Sequence, residues 1–187
     1  MDVILLNGSP NEKGCTFTAL SEIKDTLEKE GLSAEIIHVA KEGFSKEDVD
    51  AVAEKVKAAD GLILGSPVWY ASSCGLGDYF FDLLFSRIGS FMRLKFGACV
   101  VSCRRGGASA TFDQLNKYFT ISQMTVVSSN YWNQVHGNTP EEVKQDEEGM
   151  QTMRVLARNM AYLIKAVRKA DLPLPLSEAK IKTNYIR

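Results

Sequence analysis

Short apolar runs alternate with stretches of helical periodicity along this chain, and that alternation is what most constrains its fold. Val3 to Leu6 is a continuous apolar run ending in Asn7-Gly8, the pattern of a strand buried on both faces of a parallel sheet. From Thr16 to Lys29, Phe17, Leu20, Ile23 and Leu27 recur at helical spacing, and Gly31 supplies a C-cap. Ala34 to Val39 reads as a second strand. Ser45, with Asp48 as an imperfect capping box, opens a helix whose apolar face is Val49, Val52, Val56 and Ala59. Leu62 to Leu64 begins a third buried strand, expected to stop at Gly65-Ser66-Pro67. Gly75 to Phe91 reads as an apolar helix, Phe96 to Ser102 as a fourth strand, and Ala108 to Ile121 as a helix. Val126 and Val127 belong to a fifth strand, and Pro140 opens a long final helix to about Lys169.

Strands alternating with helices at this spacing build βαβ units, hence a parallel sheet with helices on both faces. Five strands and five helices point to a doubly wound, flavodoxin-like α/β fold with strand order 2-1-3-4-5. The expected domain is residues 1–170. Residues 171–187 contain Leu172-Pro173-Leu174-Pro175-Leu176, which cannot be helical at its prolines. They are expected to form an extended arm, packed on the same domain or on a neighbouring subunit.

The bulk numbers agree with a globular chain: 187 residues, 45% apolar and 24% charged. A formal net charge of -1 gives no reason to expect nucleic acid or an anionic membrane as partner. No apolar run approaches the roughly 20 residues that span a bilayer. Asp2 leads straight into an apolar strand, with no basic stretch or small-residue cleavage site, so a cytoplasmic location is expected. Cys15, Cys74, Cys99 and Cys103 contain no C-x-x-C pair, and with only two histidines no metal site is expected. They read as reduced thiols.

In an open parallel sheet, ligands bind beyond the carboxyl ends of the strands, where the strand order reverses. Three loops should meet there: 7–16, 65–74 and 102–110. The first, Asn7 to Thr16, is rich in Gly, Ser, Asn and Thr and feeds a helix. Gly8 and Gly14 permit tight turns, and Ser9, Asn11, Cys15 and Thr16 offer side-chain donors and backbone N–H groups. A phosphate there gains the unpaired amides and the positive end of the helix dipole, about 0.3–2 kcal/mol for the dipole alone. Taken alone, the loop is equally an ordinary Gly/Ser turn. It is not a Walker A loop, because Lys13 precedes Gly14, and it lacks the G-x-G-x-x-G of a dinucleotide site.

The second loop carries Pro67, Val68, Trp69 and Tyr70, aromatics where polar residues are usual. They suit a flat aromatic ligand, or else cover the core or a dimer partner. The third carries Ser102, Cys103, Arg104, Arg105, Gly106 and Gly107, placing positive charge and permissive backbone at the same edge. Cys99 and Arg105 match a cysteine-x5-arginine phosphatase spacing, but Cys99 lies inside an apolar strand, where a thiol is inert.

The Gly8-Ser9-Pro10-x-x-x-Gly14-x-Thr16 loop and the Gly65-Ser66-Pro67-Val68-Trp69-Tyr70 loop together resemble those of the NADPH-dependent FMN reductases and the related iron–sulfur flavoproteins. The resemblance covers roughly residues 1–170. It implies a flavodoxin-like fold, non-covalent FMN, NAD(P)H as hydride donor, and dimers or tetramers that build the site at a subunit interface. It carries Ser9, Gly14, Cys15 and Thr16 over as phosphate-loop residues, and Pro67 to Tyr70 as the segment beside the isoalloxazine ring. Ser102 to Gly107 would line the ring's other polar edge. Two departures stand out. Asn11 occupies a position where many members have arginine, and residues 38–60 lack the compact cysteine cluster of the iron–sulfur branch. No iron–sulfur cluster is therefore expected.

On this resemblance the chain is expected to be a flavin or quinone reductase that passes hydride from NAD(P)H to FMN and on to a small-molecule acceptor. The flavin does the redox chemistry, so no side chain is assigned as catalytic. The rival is a flavodoxin-like electron carrier without reductase activity, although such carriers tend to be strongly acidic and this chain is nearly neutral. A domain of this fold that has lost its cofactor is a third option. His136 and Trp132 follow the fifth strand and belong either to a substrate pocket or to a surface or interface. His38 reads as structural.

Overall fold

The computed structural model describes residues 1–183; residues 184–187 of the expected arm lie outside the described residues. Five parallel strand positions form the sheet. They are β1 (Val3–Asn7), β2 (Ala34–His38), β3 (Gly61–Trp69), β5 (Phe96–Cys103) and β6 (Thr125–Val126), arranged β2-β1-β3-β5-β6. Two short strands lie off this path: β4 (Ser72–Ser73), antiparallel to β3, and β7 (Gln134–His136), parallel to β5.

Seven helices connect them among the described residues: α1 (Cys15–Lys29), α2 (Val39–Glu42), α3 (Lys46–Ala58), α4 (Gly75–Ile88), α5 (Ala108–Ile121), α6 (Pro140–Gln145) and α7 (Glu147–Ala170). A single 3-10 turn, Gly89–Phe91, follows α4.

The two faces of the sheet are read by the pleat. Ile4, Leu6, Leu62, Leu64 and Val101 point to one side, where Val52, Val56, Phe80, Phe81, Leu84, Leu115 and Phe119 of α3, α4 and α5 bury them. Val3, Leu5, Ile63, Ala98 and Val100 point to the other, against Leu20, Ile23 and Leu27 of α1 and Met153, Leu156 and Met160 of α7. Each fully buried Val, Leu, Ile, Phe or Met contributes about 1.5–3 kcal/mol by leaving water. Alternate residues of one apolar run thus feed two cores, which is why these strands show no hydrophobic alternation.

Local signals behave as the residues dictate. Ser45 and Asp48 form a reciprocal capping box, the Ser45 hydroxyl accepting from the Asp48 N–H. Gly31 sits at φ +78, its N–H donating to the Glu28 carbonyl while the Leu32 N–H donates to that of Leu27. That is the paired closure of a Schellman motif.

Several expectations are corrected. The sheet has seven strands rather than five. The second strand ends at His38, because Val39 starts a helical turn. The third strand does not stop at Gly65 but pairs with β5 as far as Pro67 and runs on to Trp69. It then reverses through Tyr70 (φ 50) and Ala71 (φ 62) into β4. The fifth position is split into β6 and β7, because the polar turn formers Ser128, Ser129 and Asn130 carry the chain out of the sheet. The Ser129 hydroxyl holds that excursion together: its one proton is shared between Tyr131 O and Asn133 Oδ1, and its oxygen accepts from the Tyr131 N–H. The final helix is broken at Asp146, whose carboxylate accepts from the Gly149 N–H at 2.9 Å and the His136 N–H at 2.7 Å. Beyond Asp171, residues 172–183 carry neither helix nor strand; Arg93 donates to the Pro175 and Leu176 carbonyls.

Candidate functional site

The loop after β1 is held by its own side chains. The Asn7 amide reaches forward, its Oδ1 accepting from the Ser9 N–H at 3.1 Å and its Nδ2 donating to Glu12 O at 3.0 Å. The Ser9 hydroxyl accepts from the Asn11 N–H at 3.1 Å. Lys41 clamps the outer rim through Glu12 at 2.7 Å, and that hydrogen bond pulls the Glu12 carboxyl below its ordinary range.

Gly8 is not used for an unusual turn. A Cβ there would lie 2.8 Å from Gly65 O and 2.9 Å from the Phe81 ring, so the loop crosses β3 and α4 at backbone contact. Gly14 is the extended N-cap of α1 and makes no side-chain cap. The helix begins one residue earlier than expected, at Cys15. The N–H groups of Cys15, Thr16 and Phe17 have no partner among the described residues.

The β3–β4 hairpin forms the second wall. A two-residue reversal with both central residues in the left-handed region usually takes Asn or Gly; here Tyr70 and Ala71 are forced into it. The turn is fixed from below: Ser72 donates to Gln114, Gln114 donates to Asp78, and Ser73 donates to Asp78. Trp69 is half exposed and Tyr70 fully so. Gly107, the N-cap of α5 at φ +93, packs against Ala71 and Val68, where a Cβ would sit 2.7 Å from both. The third loop is therefore docked onto the second.

These loops enclose an open cleft of about 260 Å³. Its walls take Ser9, Asn11, Cys15 and Thr16 from the first loop, Pro67, Val68 and Trp69 from the second, and Ser102 and Arg104 from the third. The Thr16 and Ser102 hydroxyls meet at 2.8 Å and bridge the first and third loops. In such a pair one hydroxyl donates to the other, leaving one O–H free. Ser9 likewise keeps its own O–H free while accepting from Asn11. The expected residues Gly14, Tyr70, Arg105, Gly106 and Gly107 do not line the cleft, although Gly107 packs against its wall residue Val68.

Cys103, within the expected Ser102 to Gly107 segment, also lines it, as do Gly137 and Asn138, which sequence reasoning missed in that role. Gly137 arrives because β7 pairs alongside β5, its N–H donating to Cys103 O at 3.2 Å. The signal was the Gly137-Asn138 turn before the Thr139-Pro140 helix start. The Cys15 thiol donates to Gly137 O at 3.7 Å, and Cys103 Sγ lies 3.4 Å from His136 Nδ1. Burial raises both thiols above their ordinary range, with a further push on Cys103 from Asp146. They stay protonated at neutral pH. Cys99 is fully buried and burial drives its thiol far higher, so the phosphatase spacing holds no nucleophile.

Residues 1–139 match the family model of the NADPH-dependent FMN reductases. An iron–sulfur flavoprotein of Methanocaldococcus jannaschii is 31% identical over 193 residues, covering 90% of this chain and 100% of that protein. Among solved structures, RosB with a bound 8-demethyl-8-formylriboflavin-5'-phosphate superposes with a TM-score of 0.72 at 13% identity, over 100% of this chain and 94% of that one. A flavodoxin from the domain Archaea superposes with a TM-score of 0.67 at 16% identity, over 88% of this chain and 99% of that one.

The cleft fits a flavin phosphate, since it offers unpaired helix amides and free hydroxyls in one place. An iron–sulfur cluster fits poorly. Cys74 and Cys99 are sealed in the core, and the described residues hold no group of three or more His, Cys, Asp or Glu side chains placed for a metal. No described helix is long and apolar enough to cross a membrane.

Proposed function

This chain belongs to the NADPH-dependent FMN reductase family, has a flavodoxin-like fold and is an FMN-dependent oxidoreductase; we propose that NADH or NADPH supplies its electrons and that a small-molecule acceptor takes them. The observation that carries the proposal is the cleft itself, where three separate loops bring Ser9, Asn11, Cys15, Thr16, Pro67, Val68, Trp69, Ser102 and Arg104 together.

The phosphate would be held by the free amides of Cys15, Thr16 and Phe17 and by the hydroxyls of Ser9 and the Thr16–Ser102 pair. Pro67, Val68 and Trp69 would flank the ring system, the indole adding roughly 0.5–1.5 kcal/mol by stacking. Arg104 would set positive charge at the ring's polar edge, with Arg105 and Tyr70 next along their loops. Gly14, Gly106 and Gly107 shape the walls through their backbone. FMN, when bound, supplies the chemistry by accepting and returning reducing equivalents. The protein's part is to bind and orient it, and no side chain is assigned as acid or base.

Trp69 and Tyr70 on the hairpin, and Tyr131 and Trp132 just before β7, are all exposed. A homo-oligomer that covers them, with the arm from residue 171 reaching a neighbouring copy of the 1–170 domain, belongs to the same proposal. So does a cytoplasmic setting, which suits four free cysteines.

The test is direct. The purified chain is mixed with FMN, its visible spectrum is recorded, and NADH and NADPH oxidation is followed with quinone, azo dye and ferricyanide acceptors. A flavin spectrum and turnover with at least one nicotinamide are expected. Bound flavin that neither nicotinamide reduces overturns the NAD(P)H proposal and leaves an electron carrier in its place.

A further inference from the structure

His38 ends β2, the strand beside β1, and lies outside the cleft. Its Nε2 lies 2.8 Å from the carbonyl oxygen of Ser9. A carbonyl only accepts, so Nε2 carries the proton and donates. The ring's other nitrogen, Nδ1, is buried and has no hydrogen-bond partner among the described residues. A buried nitrogen without a partner is costly, and an apolar side chain at this position would avoid that cost. The Ser9 contact is therefore what histidine adds here.

Ser9 is a sensitive place for such a contact. Its N–H is taken by Asn7 and its hydroxyl accepts from Asn11, so both neighbouring amides are committed. The next residue is Pro10, which has no N–H. The Ser9–Pro10 peptide can thus present only an oxygen to whatever occupies the cleft. Turned inward, that carbonyl would set a partial negative charge against a phosphate.

We propose that His38 is a positioning residue for the phosphate loop: its Nε2–H holds the Ser9 carbonyl on the β2 side, so that the cleft meets only the donors of Ser9, Cys15, Thr16 and Phe17. The proposal rests on the assignment of this cleft to FMN. His38 touches no ligand itself, and its effect is confined to the phosphate end.

The experiment compares dissociation constants for FMN and riboflavin, which differ only in the phosphate, in the full chain and in His38→Leu and His38→Gln variants. Flavin fluorescence quenching gives the constants, and thermal melts report folding. His38→Leu is expected to weaken FMN about tenfold, the scale of one lost hydrogen bond and a misplaced carbonyl, and to leave riboflavin within about twofold. His38→Gln keeps a donor of similar reach and is expected to recover most of the FMN affinity. Unchanged FMN binding in His38→Leu, equal loss of both flavins, or no recovery with Gln overturns the proposal. If His38→Leu does not fold, His38→Asn takes its place, being polar but one methylene short of Ser9 O, with the same expected loss. A wild-type chain that binds FMN no better than riboflavin fails at the phosphate loop itself, a result distinct from any of these.

Discussion

The two ends of the sheet use their polar groups in opposite ways. At the amino end the groups satisfy one another. The Asp2 carboxylate accepts from the Ser33 N–H and hydroxyl, while Arg168 of α7 donates to both Asp2 and Asp60. Lys95 Nζ donates to the Lys57 and Ala59 carbonyls at the end of α3. At the carboxyl end, the helix amides of Cys15, Thr16 and Phe17 have no partner among the described residues, and hydroxyls face an open cleft. Trp69 and Tyr70 stand in solvent there. One end closes the fold, and the other keeps binding capacity in reserve.

Four substitutions sharpen or break this contrast. The largest effect is expected from Thr16→Asp, which sets a carboxylate against the phosphate. It should weaken FMN by roughly 100-fold or more, measured by flavin retention on gel filtration beside a thermal melt. Retention at wild-type affinity would mean that the phosphate lies elsewhere. Next, Gly107→Val combines a φ of +93 with a Cβ 2.7 Å from Ala71 and Val68. Urea denaturation should show a loss of about 2–4 kcal/mol. A neutral result would show that the third loop is not docked on the hairpin.

Ser102→Ala removes half of the hydroxyl pair with Thr16. FMN should bind about 3–10-fold more weakly, with NAD(P)H-dependent turnover retained at saturating FMN. The smallest effect belongs to the amino end. Arg168→Ala should cost less than about 1 kcal/mol and leave FMN affinity unchanged, because exposed ion pairs are weak.

The amino-end contacts also predict acid sensitivity. Burial works against the Asp2 carboxylate, but hydrogen bonds from Arg168 and Ser33 outweigh it and hold its pKa down to about 2, from 3.8. A depressed carboxylate stabilises the fold above the unfolded value and loses that contribution as pH falls through the folded one. Acid unfolding followed by circular dichroism should therefore be less steep between about pH 4 and pH 2 in Arg168→Ala. An identical acid profile would show that Asp2 owes nothing to Arg168.

The sequence made the sheet legible because parallel strands buried on both faces leave an unmistakable trace, as in Val3 to Leu6. It also exposed the three loops, since Gly, Ser, Pro and paired arginines punctuate those runs. Features that depend on partners far along the chain were not legible. Gly8 looked like a turn glycine, yet its role is to let the loop pass against Gly65 and Phe81. The split after Val126 was hidden because β7 is only three residues long and takes its hydrogen bonds from β5. That strand delivers Gly137 and Asn138 to the cleft.

His38 shows the same division most sharply. As a residue in sequence it was one apolar-strand histidine among structural readings. Only its 2.8 Å approach to Ser9 O, across a chain separation of 29 residues, gives it a role at the phosphate loop.

By itself, then, the sequence determined the alternation of strands and helices, the strand order and the composition of the three loops. Those follow from local backbone preference and from burying apolar runs, which short stretches of chain encode. The tertiary structure decided which loop residues line the cleft, which hydroxyls pair across it and where the Ser9 carbonyl points. Those depend on contacts between residues distant in the chain, whose geometry is settled only when both faces of the sheet are packed.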